Sequence, residues 1–342
     1  NTIKVYYDRM LLETLDPNTM FYQFGVKKPL PKGEGTSIQW NRPRRLGRGQ
    51  KVTAAIKPSA SELSTIRVSS VIEVYGGYSL LEDLVQLTSI TDVLDMATSE
   101  LAKQAAETLD YAIMQSILFF DDPNTAVSTV HMIKSSASLF ISTNAAVGGV
   151  YSNVLIAVSD IRRVTTELRR RNAPTFDQQN YVGLIHPVIS EDLRADSTFQ
   201  NWHQYTTPEY LYRGEIGRVE GVRFVETVGT PVSAGSGNGD AISSSPGSSA
   251  VAYGTVIFGR GFYGVTELDG GIKTYLVTGP SKSDPINQSS TYGWKAFFAS
   301  KVLNVSAGIV LWTGSGDTFT GSSVSSRETN GGLTLSAVPT AT

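Results

Sequence analysis

Apolar residues spaced three and four apart mark one segment above all others. From Asp92 onward, Leu94, Ala97, Leu101, Ala105, Leu109, Ala112, Ile113 and Ile117 fall on one side of a helix. This pattern predicts the longest helix of the chain, running to about Phe120, where Asp122-Pro123-Asn124 stops it. Ser79-Leu-Leu-Glu82 has capping-box spacing, which predicts a short helix from Leu80 to about Thr88. Another helix is expected to be capped by Ser159. It has Asp160 in its first turn, Arg169, Arg170 and Arg171 in its last, and Pro174 ending it, so the charges match the helix dipole at both ends.

Elsewhere the pattern is extended. Runs 36–40 and 66–75 are rich in β-formers and flank the polar, basic stretch 41–61, so together they predict a long hairpin. A two-stranded ribbon of that length has little core of its own, and a neighbouring subunit is its natural support. Residues 1–33 mix aromatics with Pro17, Pro29, Pro31 and Gly33, which predicts a short helix followed by an extended arm. After residue 174, β-like runs at 181–185, 222–228, 255–258, 274–277 and 301–312 alternate with loops. The Ser/Gly-rich segment 233–249 reads as a surface loop, and the tail beyond residue 312 has a similar composition, with one apolar patch at Leu333 and Leu335. The expected fold class is α+β.

Composition narrows the function. A chain of 342 residues can bury a large core, and its charged fraction of 18% is below the roughly 25% usual for a soluble domain, which leaves surface for contacts. With no cysteine, disulfides, thiolate chemistry and cysteine-ligated zinc are excluded. Lys plus Arg (29) nearly balances Asp plus Glu (31), which argues against tight binding of nucleic acid through phosphate neutralisation. No apolar run approaches the roughly 20 residues of a membrane span, and no signal-peptide pattern opens the sequence, so neither membrane insertion nor secretion is expected.

Three patterns invite chemistry. Gly259-Arg-Gly-Phe-Tyr-Gly264 matches G-x-G-x-x-G after a β-like run, the spacing of a dinucleotide cradle in an α/β enzyme. Asp269-Gly270-Gly271 interrupts the helix such a cradle needs, so no cofactor is expected. His131, His186 and His203 lack metal-ligand spacing, and the acid pairs Glu82-Asp83, Asp121-Asp122 and Glu191-Asp192 are expected at helix ends, so no metal and no catalytic group is assigned. Arg42, Arg44, Arg45, Arg48 and Lys51 form a basic run beside Trp40 with no acid among them. Solvation and DNA contact both remain open for this run. The reading adopted is an inter-subunit interface, in which these cations pair with acids of a neighbouring copy.

The order of arm, long hairpin, long helix and mixed α/β region resembles the Hong Kong 97-type major capsid fold of tailed bacteriophages. Several local stretches resemble more narrowly the major capsid proteins of N-four-like podophages. These are Tyr75-Gly-Gly-Tyr78 with Glu82-Asp83, Ser159-Asp-Ile-Arg-Arg163 to Leu168-Arg-Arg-Arg-Asn172, residues 181–187, Asp192-Leu-Arg194, and Gly214-Glu-Ile-Gly217 to Thr227. The resemblance spans about residues 5–312. It implies an N-terminal arm (1–33), an extended hairpin loop (34–75), a peripheral domain (76–150 and 293–320) and an axial domain (151–292), while the Ser/Gly-rich loop 233–249 and the Ser/Thr-rich tail (321–342) depart from the family's pattern and inherit nothing from it. It also implies a non-enzymatic shell subunit. That subunit would assemble with copies of itself into pentamers and hexamers around double-stranded DNA, in the host cytoplasm, with scaffold, portal and decoration proteins as further partners. A cellular encapsulin-type compartment shares this fold and is the nearest alternative.

Overall fold

The chain enters its body as a short helix, α1 (Met20–Phe24), and a strand, β1 (Val26–Lys28), as the aromatic and proline pattern of the arm predicts. The structure is a computed structural model, described at residues 11, 19–30, 35–44, 46–49, 62–89, 93–118, 131–134, 140–141, 155–176, 179–199, 215–234, 251–267, 272–277 and 288–314. The hairpin follows as β2 (Ser37–Pro43) and β3 (Thr65–Val71), paired antiparallel from Ser37–Val71 out to Pro43–Thr65.

The capping box expected at Ser79 and Glu82 does not form. Both residues lie in a ten-residue strand, β4 (Glu73–Glu82), and the short helix α2 (Asp83–Thr88) starts only after it. A tertiary partner overrides the local signal: β4 pairs along its whole length with β14 (Ser289–Phe298), from Glu73–Phe298 to Glu82–Ser289. The far side of β14 takes β13 (Ile272–Val277), so the order is β13-β14-β4. Tyr292, Trp294, Ala296 and Phe298 turn one face of this sheet into the core. That face lies on the long helix α3 (Val93–Leu118), which buries Leu101, Ala105, Leu109, Ile113 and Ile117 as its spacing predicts. The expected stop at Asp122-Pro123-Asn124 lies outside the described residues.

The largest sheet gathers β5 (His131–Lys134), β6 (Phe140–Ile141), β7 (Tyr181–Ile185), β8 (Glu215–Val219), β9 (Val222–Glu226), β10 (Val232–Ala234), β11 (Val251–Phe258) and β16 (Gly308–Thr313). Its order is β6-β5-β16-β11-β7-β9-β8, with β10 on β11. Both faces of its centre are buried, by strand alternation. Val182, Leu184, Val256, Phe258, Val310 and Trp312 point into the core shared with α3. Tyr181, Ile185, Ile257, Ile309 and Leu311 point into a second core, beneath α4 (Val158–Arg170) and α5 (Pro187–Ala195).

Ser159 is not the cap of α4, which begins one residue earlier. Asp160 supplies the cap from inside the first turn, accepting the Ala157 N–H at 3.3 Å, and Asp196 accepts the Val158 N–H at 3.0 Å. The C-terminal end behaves as its charges predict: Glu167 pairs with Arg170 and Arg171 at 2.7 Å, and Asn172 turns the chain at φ 56° before Pro174. Glu191 and Asp192 sit inside α5 and not at its end, because α5 opens at His186-Pro187. The run 301–312 divides into β15 (Ser300–Val302) and β16, separated by a 3-10 turn (Val305–Ala307) that Asn304 caps. Of the Ser/Gly-rich segment, only Ser233 and Ala234 are described, in β10. The tail patch at Leu333 and Leu335 lies outside the described residues.

Candidate assembly surfaces

At the root of the hairpin, Ile38 and Trp40 alternate inward from β2 and pack with Ala299, Ile72 and Leu303. The Ser70 hydroxyl donates to the Ser300 carbonyl at 3.2 Å, and Lys28 of β1 donates to the Gln39 carbonyl. This corrects the expectation that the ribbon is held only by other chains, since its inner half is anchored to its own body. Beyond Trp40 the character changes. Arg44 closes the described ladder through its N–H to the Ser64 carbonyl at 2.8 Å, and Arg44 and Arg48 are exposed while Arg42 is half-buried. The ribbon thus carries exposed cations outward from an apolar root. Arg45 and Lys51 lie outside the described residues.

The arm is tied in by a buried acid that the sequence reading missed. Asp110 sits on the buried side of α3, and its carboxylate accepts the backbone N–H groups of Met20 (2.7 Å), Phe21 (3.3 Å) and Tyr22 (3.2 Å), satisfying the open end of α1. The Tyr263 hydroxyl donates to the Phe21 carbonyl from the other side. Burial pushes Asp110 up to about 6, against the opposing pull of those three N–H groups. One signal was available: an acid standing between Ala106 and Met114 on an apolar helix face.

The glycine pattern at 259–264 has no helix after it. Tyr263–Thr266 is a strand, β12, which pairs with β1 and β15, so the amides that a cradle would aim at pyrophosphate are committed to a sheet. Packing explains the glycines. A Cβ at Gly259 would lie 2.1 Å from the Pro174 carbonyl oxygen and one at Gly264 would lie 2.7 Å from the Trp40 ring, while Gly261 has φ +76°. His186 follows β7 and caps α5, accepting the Val188 N–H at Nδ1 (3.3 Å) while its ring lies 4.7 Å from that of Tyr253. Burial lowers it to about 4, so it is neutral at pH 7. His131 lies in β5, and His203 is outside the described residues. Among the described residues no group of three or more His, Asp or Glu is placed to hold a metal.

The fold is shared with solved phage capsid subunits. The capsid of Ralstonia phage GP4 is similar over 88% of this chain and 92% of that one, with a TM-score of 0.65 at 12% identity. This is the Hong Kong 97-type capsid fold. The cyanophage Pam1 capsid shares it over 89% of this chain and 93% of its own, with a TM-score of 0.61 at 14% identity. The capsid of Helicobacter pylori bacteriophage KHP30 does so over 86% and 91%, with a TM-score of 0.58 at 13% identity. In sequence, the family described as phage capsid protein matches residues 124–262, the region holding α4, α5 and every strand of the large sheet except β16. No curated protein matches the chain in sequence.

Proposed function

We propose that this chain is the major capsid protein of a tailed phage, assembling through copies of itself into the pentamers and hexamers of an icosahedral head that encloses double-stranded DNA. The observation that carries the reading is the extent of the likeness. The structural likeness covers 88–89% of this chain and 92–93% of those phage capsid subunits, and the middle of the chain matches the phage capsid family independently in sequence. Closed symmetry lets many modest contacts add to a stable shell.

In this reading the subunit is non-enzymatic, and packaged DNA is held without sequence-specific contacts. Scaffold, portal and decoration proteins are its further partners, and assembly takes place in the bacterial cytoplasm. The narrower kinship with N-four-like podophages belongs to the same proposal. The basic ribbon, with Arg42, Arg44, Arg45, Arg48 and Lys51, reaches across a neighbouring copy and pairs with its acids. The arm, hairpin loop and tail keep the boundaries expected from the sequence, while strand pairing supports moving 272–298 to the peripheral domain and joining 131–141 and 308–313 to the axial domain.

The test is expression of the chain, alone and with its phage's assembly factors, followed by electron microscopy and analysis of contents. Shells or capsomers are expected, with DNA inside mature particles. A monomer under every assembly condition overturns the proposal, and shells filled with an enzyme cargo point instead to a cellular compartment.

A further inference from the structure

One face of the β13-β14-β4 sheet is buried on α3; the other is apolar and open. Its rows follow from the register. Phe297 and Val74 form the first row, Lys273, Lys295 and Gly76 the second, Tyr275, Gly293 and Tyr78 the third, Val277, Thr291 and Leu80 the fourth, and Ser289 and Glu82 the last. Tyr78 is 77% exposed, Leu80 59% and Val277 56%. The side chains border a shallow groove of about 320 Å³, floored by Gly76, Gly77 and Gly293. Among the described residues no element covers these rows, and their charges are not scattered through the apolar side chains.

The charge on this face is ordered. Two lysines stand in the row next to one end, inside Val74 and Phe297, and an acid in the last row at the other, with the next acid, Asp83, directly beyond; the Tyr78 and Leu80 rows lie between the two charges. Turned end over end, the face is complementary to itself. A two-fold axis passing between the Tyr78 and Leu80 rows brings the lysine row of each copy onto Glu82 of the other and stacks the apolar rows.

We infer that this face is a two-fold contact between copies of the chain, with Lys273 and Lys295 meeting Glu82 across it; the inference rests on the capsid reading. The face measures three strands by about nine residues, roughly 400 Å² per copy. A stable dimer buries about 800 Å² per partner. The contact therefore closes only where other contacts already hold the copies together, as in a shell.

The absence of cysteine makes the test clean. In assembled particles a short bis-maleimide linker should join Leu80→Cys to its own counterpart near the axis. Glu82→Cys alone should stay unlinked, and particles mixing Glu82→Cys with Lys295→Cys subunits should become linked. Normal shells in which Leu80→Cys stays single, or is linked only to a cysteine at Arg48 of the hairpin, overturn the inference.

Should the cysteine variants not assemble, wild-type shells mixed from isotopically light and heavy subunits can be joined by carbodiimide. Peptides linking Lys295 or Lys273 of one copy to Glu82 of another support the contact. Within one subunit Lys295 and Glu82 are six residues apart along the sheet, about 20 Å, beyond a zero-length link. Shells without such peptides refute this inference alone, whereas a wild-type chain that builds no shells refutes the capsid reading.

Discussion

The carboxylate of Asp110, midway along α3, accepts the backbone N–H of Met20 at 2.7 Å and so joins the N-terminal arm to the longest helix. Burial raises this carboxyl from its ordinary 3.8 to about 6. A folded-state value above the unfolded one contributes stability that is fully present below about 3.8 and is lost as pH rises through about 6. The gap between the two values corresponds to about 3 kcal/mol at most. Thermal melts of the unassembled subunit should show this contribution declining between pH 4 and pH 7, and Asp110→Asn should remove it. Asp110→Ala leaves the buried N–H groups of Phe21 and Tyr22 and the partly buried one of Met20 without their acceptor, at roughly 1–3 kcal/mol for each that stays dry. Hydrogen exchange should then rise first at residues 20–24. Unchanged protection there would show that the arm does not depend on this acid.

His186 acts in the opposite direction. Its folded-state value is depressed to about 4 by burial, so its contribution is present above its ordinary 6.5 and is lost as pH falls from there through about 4. His186→Gln should flatten the acid limb of the stability profile, at a neutral-pH cost of about 1 kcal/mol for the altered helix cap. Catalysis is not expected to enter. A specific turnover that vanished with this substitution would contradict the structural role.

The root of the hairpin depends on a close approach. A methyl at Gly264 would lie 2.7 Å from the Trp40 ring, so Gly264→Ala should cost about 1–3 kcal/mol through overpacking. Tryptophan fluorescence and limited proteolysis of the ribbon should report a loosened root, with the cores beneath α3 and α4 unaffected. A variant with wild-type stability and proteolysis would show that Trp40 repacks freely.

Reversal of the ribbon's charge tests its partner. Arg44, Arg45 and Arg48 changed together to Glu should leave circular dichroism unchanged while shell yield or shell melting temperature falls. The loss should deepen at low ionic strength, where repulsion between the new carboxylates and a neighbour's acids is least screened. Normal assembly with loss of packaged DNA alone would instead turn the ribbon toward the genome.

What the sequence made legible follows from where each pattern is decided. The period of α3 and the strand 181–185 are written into local spacing and emerge with nearly their expected bounds. Ser79 and Glu82 misled because capping spacing costs nothing to satisfy by chance, whereas the ten-residue pairing with β14 is settled by residues two hundred positions away. β14 was itself readable, since Tyr292, Trp294, Ala296 and Phe298 alternate, but the serines and glycine around them resemble a loop. The anchoring of Trp40 needed tertiary knowledge, because the residues beneath it, 299 and 303, come from the other end of the chain.

Strands β7, β11 and β16 load the large sheet with side chains on both of its faces. A sheet loaded on one side can curl toward that side. One loaded on both would have to stretch one packed layer while crushing the other, and close-packed interiors resist both strains. The centre of the subunit is therefore a stiff plate. Any bending imposed on the subunit falls on the thin ribbon of β2 and β3 beyond Trp40, and the plate keeps its shape.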